Sequence, residues 1–326
     1  MDKPIYVGAD LGGTHFRVGV RRAGELRLLY REAIPASPEW DAEQLLSVMA
    51  ELLARITVRC REALFPAGVG FGSTGDLDYR AGTCYSMKRF PLLEEAPLRK
   101  LLEERFSVPA VVLNDGLCAT LAELRAGAGR GASDFAMITL GTGIGGGIVS
   151  DGRLLLGRRG RVGKVGHQIL DFDGPVHCHC GLPGCWQTLA AKEGVTARAR
   201  QAAARHPVSE LASRFRAGEP ELREVFALAA AGDAAAAEVV RETGRFVGIG
   251  LANLVKILAP ERLIVGGGIA EGNTLLLQAV QETVWEYAIK PYQRVEVVPA
   301  ELGTEAGTLG ATLLPEEGLT TGEPVR

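Results

Sequence analysis

No stretch of this 326-residue chain stays apolar for the roughly 20 residues that a membrane-spanning helix needs. The opening MDKPIYVGAD enters a strand pattern at once and has no apolar h-region of a secretory signal, so a cytoplasmic location is expected. There is no block of Lys and Arg, and the formal net charge is only −3, which argues against nucleic acid as a partner. Cysteine is scarce and unevenly placed. Cys60, Cys84 and Cys118 stand alone, whereas Cys178, Cys180 and Cys185 are bunched. That is not a disulfide framework; in a reducing compartment such bunching reads as a metal site.

Glycine is plentiful, at 42 residues, and its placement organises the chain. The stretch LGTGIGGGIV (140–149) follows the apolar run FAMIT and reads as strand, glycine turn, strand, with Gly141, Gly143, Gly145, Gly146 and Gly147 at the tip. Near the start, IYVGA runs into DLGGT (10–14), and apolar alternation resumes at Phe16. Bare backbone N–H groups in such turns converge on an anion with no side chain in the way. Two such hairpins, each opening a half of the chain, predict a duplicated α/β fold holding a polyphosphate between the halves. The length also favours two domains, and 47% apolar with 23% charged residues is ordinary for a globular protein.

Periodicity predicts further strands at 26–33, 67–72, 108–113, 262–265 and 295–298, and helices after an Asp41–Gln44 capping box and over 97–106, 117–126, 190–205, 210–215, 221–231, 233–258 and 273–289. Gly248 and Gly250 inside the long helix predict close approach of another backbone. Residues 157–183, rich in Gly, Arg, His and Cys, read as a loop insertion; the glycines at 127, 129 and 131 mark a boundary; 308–314 is a last apolar helix, and the tail from 315 reads as disordered.

Three sites carry chemistry. Asp10 precedes Gly12-Gly13-Thr14, and a carboxylate beside a phosphate cradle calls for a divalent cation between them; an Asx turn is the simpler reading. Asp115 ends a strand and opens a helix, where it could accept a proton from a substrate hydroxyl or simply cap the helix. His167, Cys178, Cys180 and Cys185, spaced H-x10-C-x-C-x4-C, suit a closed tetrahedral zinc site, with His177 and His179 as rival fourth ligands and a loop of free thiols as the alternative.

On these motifs the chain resembles the ROK family of bacterial sugar kinases, within the hexokinase–actin–Hsp70 ATPase fold. DLGGT resembles its first phosphate motif, Asn114-Asp115 its catalytic N-D, residues 140–149 its second phosphate motif, and Cys178–Cys185 its C-x-C-G-x-x-G-C zinc motif. Ile264–Gly268 resembles its glycine stretch near the adenosine, and 302–310 its C-terminal glycine turn. The resemblance implies a ribonuclease H-like/actin-like ATPase fold of two α/β lobes around a cleft. The first lobe would span 1–118, joined by a C-terminal helix at about 308–326, and the second 119–307, with a zinc loop at 160–187. It implies ATP and Mg2+ at Asp10, Gly12, Gly13, Thr14, Gly141, Thr142, Gly143, Gly266, Gly267 and Gly268. It implies a structural Zn2+, Asp115 as general base, a sugar site including Asn114, Asp115 and His167, and a homodimer or homotetramer. Three positions depart from the family. Lys164 stands at the Glu of G-E-x-G-H, Gln187 at the Glu after the zinc motif, and Ser86 at a sugar-holding Asn.

The sequence therefore points to ATP-dependent phosphorylation of a sugar or sugar-like hydroxyl, with glucose disfavoured. The contrasting reading is a catalytically silent carbohydrate sensor. A DNA-binding repressor of the family would need an N-terminal helix-turn-helix, for which strand one leaves no room. An actin-like assembly protein would not need the cysteine loop.

Overall fold

The apolar runs at the centre of each half fold as strands buried on both faces, as strands covered by helices must be. The computed structural model describes residues 3–61, 63–290 and 294–318. In order they form β1 (Ile5–Leu11), β2 (His15–Arg22), β3 (Tyr30–Pro35), α1 (Ala42–Cys60), β4 (Pro66–Ser73), β5 (Asp76–Asp78), β6 (Thr83–Ser86), α2 (Leu98–Phe106), β7 (Ala110–Asn114) and α3 (Asp115–Ala126). The chain continues with β8 (Phe135–Leu140), β9 (Ile144–Ser150), β10 (Arg153–Leu154), α4 (Trp186–Ala190), α5 (Lys192–Arg205), α6 (Glu210–Ala217), α7 (Leu222–Ala230) and α8 (Ala234–Leu258). It closes with β11 (Arg262–Gly266), α9 (Thr274–Tyr287), β12 (Glu296–Pro299) and α10 (Ala306–Leu313).

The two main sheets repeat one plan. The first has the order β3-β2-β1-β4-β7 and the second β10-β9-β8-β11-β12. In the first, β2 pairs antiparallel with both β1 and β3, while β1/β4 and β4/β7 are parallel. In the second, β9/β10 are antiparallel, and β8/β11 and β11/β12 parallel. This is the duplicated α/β arrangement expected of an actin-like ATPase.

The chain forms two compact units. One holds residues up to Gly131, Gly147–Gly163 and from Thr304 on; the other holds Ala132–Gly146 and Lys164–Gly303. The first of these segments ends at Gly131, the last of the glycines at 127, 129 and 131, and positions 118/119 lie inside α3. Each unit has its own core. In the first, Val7, Phe16, Leu45, Met49, Phe71 and Val112 cluster. In the second, Ile138, Trp186, Val195, Val247, Leu263 and Val280 cluster.

Several local expectations shift. The third strand starts at Tyr30 rather than 26, since residues 26–29 form bends that bring Leu28 over Gly19. The helix expected from 190 is broken at Ala191, which is extended (φ −104°, ψ −167°), leaving α4 and α5. Gly250 makes room for the Trp186 indole, a side chain rather than a backbone, whereas Gly248 faces both the Thr283 side chain and the Val280 carbonyl. The last helix, α10, ends at Leu313, and residues 315–318 are not a loose tail. The Glu317 carboxylate pairs with Arg125 at 2.6 Å, and Glu316 pairs at 2.5 Å with Arg21, whose side chain is fully buried. Residues 319–326 lie outside the described residues.

Candidate active site and metal cluster

The strand β1 ends in Asp10 and Leu11, and the chain turns over Gly12, Gly13 and Thr14 into β2. The turn closes with Gly12 N donating to His15 O at 3.0 Å. Asp10 is only 6% exposed, and antiparallel register sets it opposite Arg17, whose Nη1 lies 3.3 Å from Asp10 Oδ2. Burial, then the nearby Asp115 carboxylate, push the Asp10 pKa up to about 6 despite Arg17 and Arg31. A buried carboxylate that is already strained by a second one is a fit for a divalent cation. Gly307 completes the setting, because a Cβ there would come within 2.7 Å of Asp10 Oδ2. Arg89 Nε donates to Gly13 O at 3.0 Å. Sequence reasoning missed both arginines; the register of a short hairpin could have paired Asp10 with Arg17, whereas nothing in sequence brings Arg89 to the turn.

Asn114 and Asp115 lie at the junction of β7 and α3. Asn114, not Asp115, is the N-cap: its Oδ1 accepts from Gly116 N at 3.0 Å. Asp115 is the first helical residue, and its Oδ1 also accepts from Gly116 N, at 2.9 Å. The Asn114 amide reaches back to Ser73 O and Gly75 O, both at 3.4 Å. Gly75 (φ +102°) in turn lies so close to Ser86 O that a Cβ would sit 2.5 Å from it. Hence Ser86, Gly75 and Asn114 form one connected patch in the first unit. Next to it a cleft of about 410 Å³ is lined by Arg158, Arg159, Arg161 and Val162. Arg159 pairs with Asp78 at 3.2 Å and Arg161 with Asp76 at 3.3 Å.

In the second unit the turn after β8 contains only Gly141, Thr142 and Gly143; the following glycines belong to β9. Gly145 clears Thr139, so that glycine serves packing rather than anion contact. Three elements hold the turn. Lys192 N, at the start of α5, donates to Gly141 O at 3.2 Å, which explains the break at Ala191. Gly267 (φ +90°), in the stretch Gly266–Gly268 after β11, would place a Cβ 2.3 Å from Leu140 O. Gln187 Oε1 accepts from Ile144 N at 3.4 Å. A Cβ added at Gly141 or Gly268 would meet nothing within 4 Å. Both are therefore open to a ligand.

His167, Cys178, Cys180 and Cys185 converge with all four ligand atoms within 4.8 Å of one another. The Cys180–Cys185 sulfurs are 3.6 Å apart, as are Cys178 Sγ and His167 Nδ1. Those separations match the edges of a tetrahedron with metal–sulfur bonds of about 2.3 Å. Burial, then His179 and Lys164, lower the His167 pKa, a shift toward the neutral imidazole, which is the form that ligates. A backbone hydrogen bond from Leu182 lowers the Cys180 pKa, while burial pushes Cys185 up to about 12. His179 stands outside that group of four, its ring 5.3 Å from that of His167 and its Nδ1 3.9 Å from Cys178 Sγ. Gln187 is buried beside the cluster, and Lys164 is exposed at the entry to the turn bearing His167.

No helix among the described residues is long and apolar enough to cross a membrane. The sequence profile of the ROK family matches residues 6–317. A glucokinase of Halalkalibacterium halodurans is 32% identical over 316 residues, covering 96% of this chain and 95% of that protein. An N-acetylmannosamine kinase of Citrobacter koseri is 32% identical over 310 residues, covering 94% of this chain and 97% of that protein. Among solved structures, a ROK family glucokinase from Streptomyces griseus, in complex with glucose and AMPPNP, superposes with a TM-score of 0.81 at 31% identity, covering 95% of this chain and 98% of that one.

Proposed function

The chain belongs to the ROK family, and on that premise we propose that it is an ATP-dependent kinase of a hydroxyl on a sugar or sugar-like substrate. The observation that carries this reading is the buried Asp10 carboxylate at the end of β1, beside the Gly12–Thr14 turn, whose pKa is pushed up first by burial and then by the Asp115 carboxylate at the start of α3. Asp115 accepts the proton of the attacking hydroxyl, and Asn114 fixes the start of α3 that carries it. The backbone of Gly12, Gly13 and Thr14 and that of Gly141, Thr142 and Gly143 hold phosphate oxygens, and Gly266, Gly267 and Gly268 lie along the nucleotide. Asp10 would hold Mg2+ through water, and that ion would supply neutralising charge on the phosphates. His167, Cys178, Cys180 and Cys185 would hold a structural Zn2+ that fixes the loop bearing Lys164. A cytoplasmic homodimer or homotetramer is part of the proposal.

The substrate differs from a plain neutral hexose. Lys164 brings only donors where the family has a carboxylate, and Ser86 is shorter than the usual Asn. The Arg158–Arg161 cleft adds positive charge in the unit that holds Ser86. These features favour an acidic or less hydroxylated sugar. A phosphorylation screen with ATP and Mg2+ over neutral sugars, amino sugars, cyclitols and sugar acids tests the class; a clear preference for glucose would reject it. Asp115→Asn tests the chemistry. Turnover on the best substrate should fall ~10²–10⁴-fold with the affinity for an ATP analogue nearly unchanged. Near-normal turnover would remove Asp115 from the role.

A further inference from the structure

We infer that Gln187 is a positioning residue that couples the metal cluster to the second phosphate turn, so that zinc and nucleotide bind cooperatively. The inference rests on the function proposed above but concerns a residue that the family resemblance assigns to the sugar. In this chain its amide is engaged elsewhere. Gln187 is the second residue of α4, after Trp186, which is fully buried and anchored by its indole N–H to Phe246 O at 2.9 Å. Its Nε2 lies 3.0 Å from Cys178 Sγ and 3.1 Å from His179 Nδ1. At the other end Oε1 accepts from Ile144 N, the first residue after the turn Gly141–Gly143.

Two glycines clear the space for this strut. A Cβ at Gly143 would lie 2.8 Å from Gln187 Oε1, and one at Gly166 would lie 3.2 Å from it. One amide orientation alone satisfies both ends. A backbone N–H requires the oxygen, and a sulfur acceptor requires the NH2 group. A cysteine sulfur that serves as a metal ligand can only accept, so the 3.0 Å contact from Gln187 Nε2 to Cys178 Sγ would hold the amide while Oε1 stays on Ile144 N. A zinc-bound thiolate therefore fixes the amide, and the amide fixes the strand end on which the phosphate turn is built. Outer partners of metal ligands act in this way, orienting the ligand and tuning its affinity. Glutamate, which the family usually carries here, has no donor to offer the thiolate when ionised, so the coupling follows from the glutamine.

The test measures coupling rather than activity. Zinc affinity of the full chain is determined by chelator competition with and without a non-hydrolysable ATP analogue and Mg2+. We expect the nucleotide to raise zinc affinity at least about five-fold, and by linkage zinc to raise nucleotide affinity by the same factor. Gln187→Met keeps the length of the side chain but has no amide. It should lower zinc affinity roughly ten- to a hundred-fold, abolish the coupling, and leave the KM for sugar within about two-fold of the unaltered chain. Gly143→Ala displaces the amide from the turn side and should lower zinc affinity from a distance, without touching a ligand. Zinc and nucleotide that bind independently would overturn the inference, as would a Gln187→Met chain that raises only the KM for sugar. A chain that binds no zinc, or no nucleotide, would instead reject the function proposed above and this coupling with it.

Discussion

Asp10 is the residue at which stability and the proposed function oppose each other. Burial and the Asp115 carboxylate raise its pKa from 3.8 to about 6 in the folded chain. Between those values the folded state holds more protons than the unfolded state. Stability therefore falls as pH rises from about 4 to about 6 and stays at the lower level above. A gap of about two pKa units is worth about 3 kcal/mol at most, and the ion pair with Arg17 is already counted within it. Asp10→Asn keeps the shape and an acceptor for Arg17 but removes the buried charge. Free of metal and nucleotide, that variant should melt higher than the unaltered chain at about pH 7.5, with the difference vanishing near pH 4, and its turnover should collapse. A lower melting temperature at about pH 7.5 would show that the Arg17 pair outweighs the burial of the charge.

At the scale of elements, α10 shows how the first sheet is covered. Backbone meets backbone there. A Cβ at Gly70 of β4 would lie 1.8 Å from Ala311 O, one at Gly8 of β1 would lie 2.6 Å from Thr308 O, and one at Gly310 would lie 1.8 Å from Cys118 O on α3. No rotamer change relieves a clash with backbone, so Gly70→Ala should cost more than about 3 kcal/mol, beyond the usual range for a point change. Gly152→Ala, where φ is +69° but the space is open, should cost only the strain of that conformation, about 1 kcal/mol. Equal losses in urea melts would contradict this packing. Such glycines also mark the limit of what sequence reveals. The two hairpins were legible because apolar strands flank each turn, and the Cys/His cluster because its spacing is short. Gly145 was read as part of a turn because a glycine that clears a side chain looks the same in sequence as one that binds an anion. The break at Ala191 had no local signal: 190–205 is rich in good helix formers, and the need that interrupts it, the Lys192 N–H for Gly141 O, comes from 51 residues away along the chain. The cap fell on Asn114 rather than Asp115 because adjacent Asn and Asp are equally good caps. The orientation of the Gln187 amide depends on three segments meeting, which no motif encodes.

At the scale of the whole molecule, the chain passes between its two units four times, after Gly131, Gly146, Gly163 and Gly303. All four crossings follow a glycine. Each unit nonetheless buries a separate apolar cluster, so each can open with its own free energy. The Cys/His cluster lies wholly in the unit whose core holds Trp186, and that residue is flanked by Cys185 of the cluster and by Gln187. A structural metal contributes its binding energy to the folding of whatever it holds together. Removal of the proposed zinc should therefore act on one unit and spare the other. Hydrogen exchange is expected to speed up after chelation across residues 165–190 and the turn at 141–143, while β1, β4 and β7 keep their protection. Cys180→Ser should reproduce that pattern without a chelator, and calorimetry should show the loss as a separate, earlier transition rather than a uniform shift. Asp10→Asn supplies the opposite control, since its effect belongs to the first unit. If chelation instead lowers protection evenly over both units, the chain unfolds as one cooperative body, and the metal stabilises the whole of it rather than the loop it gathers.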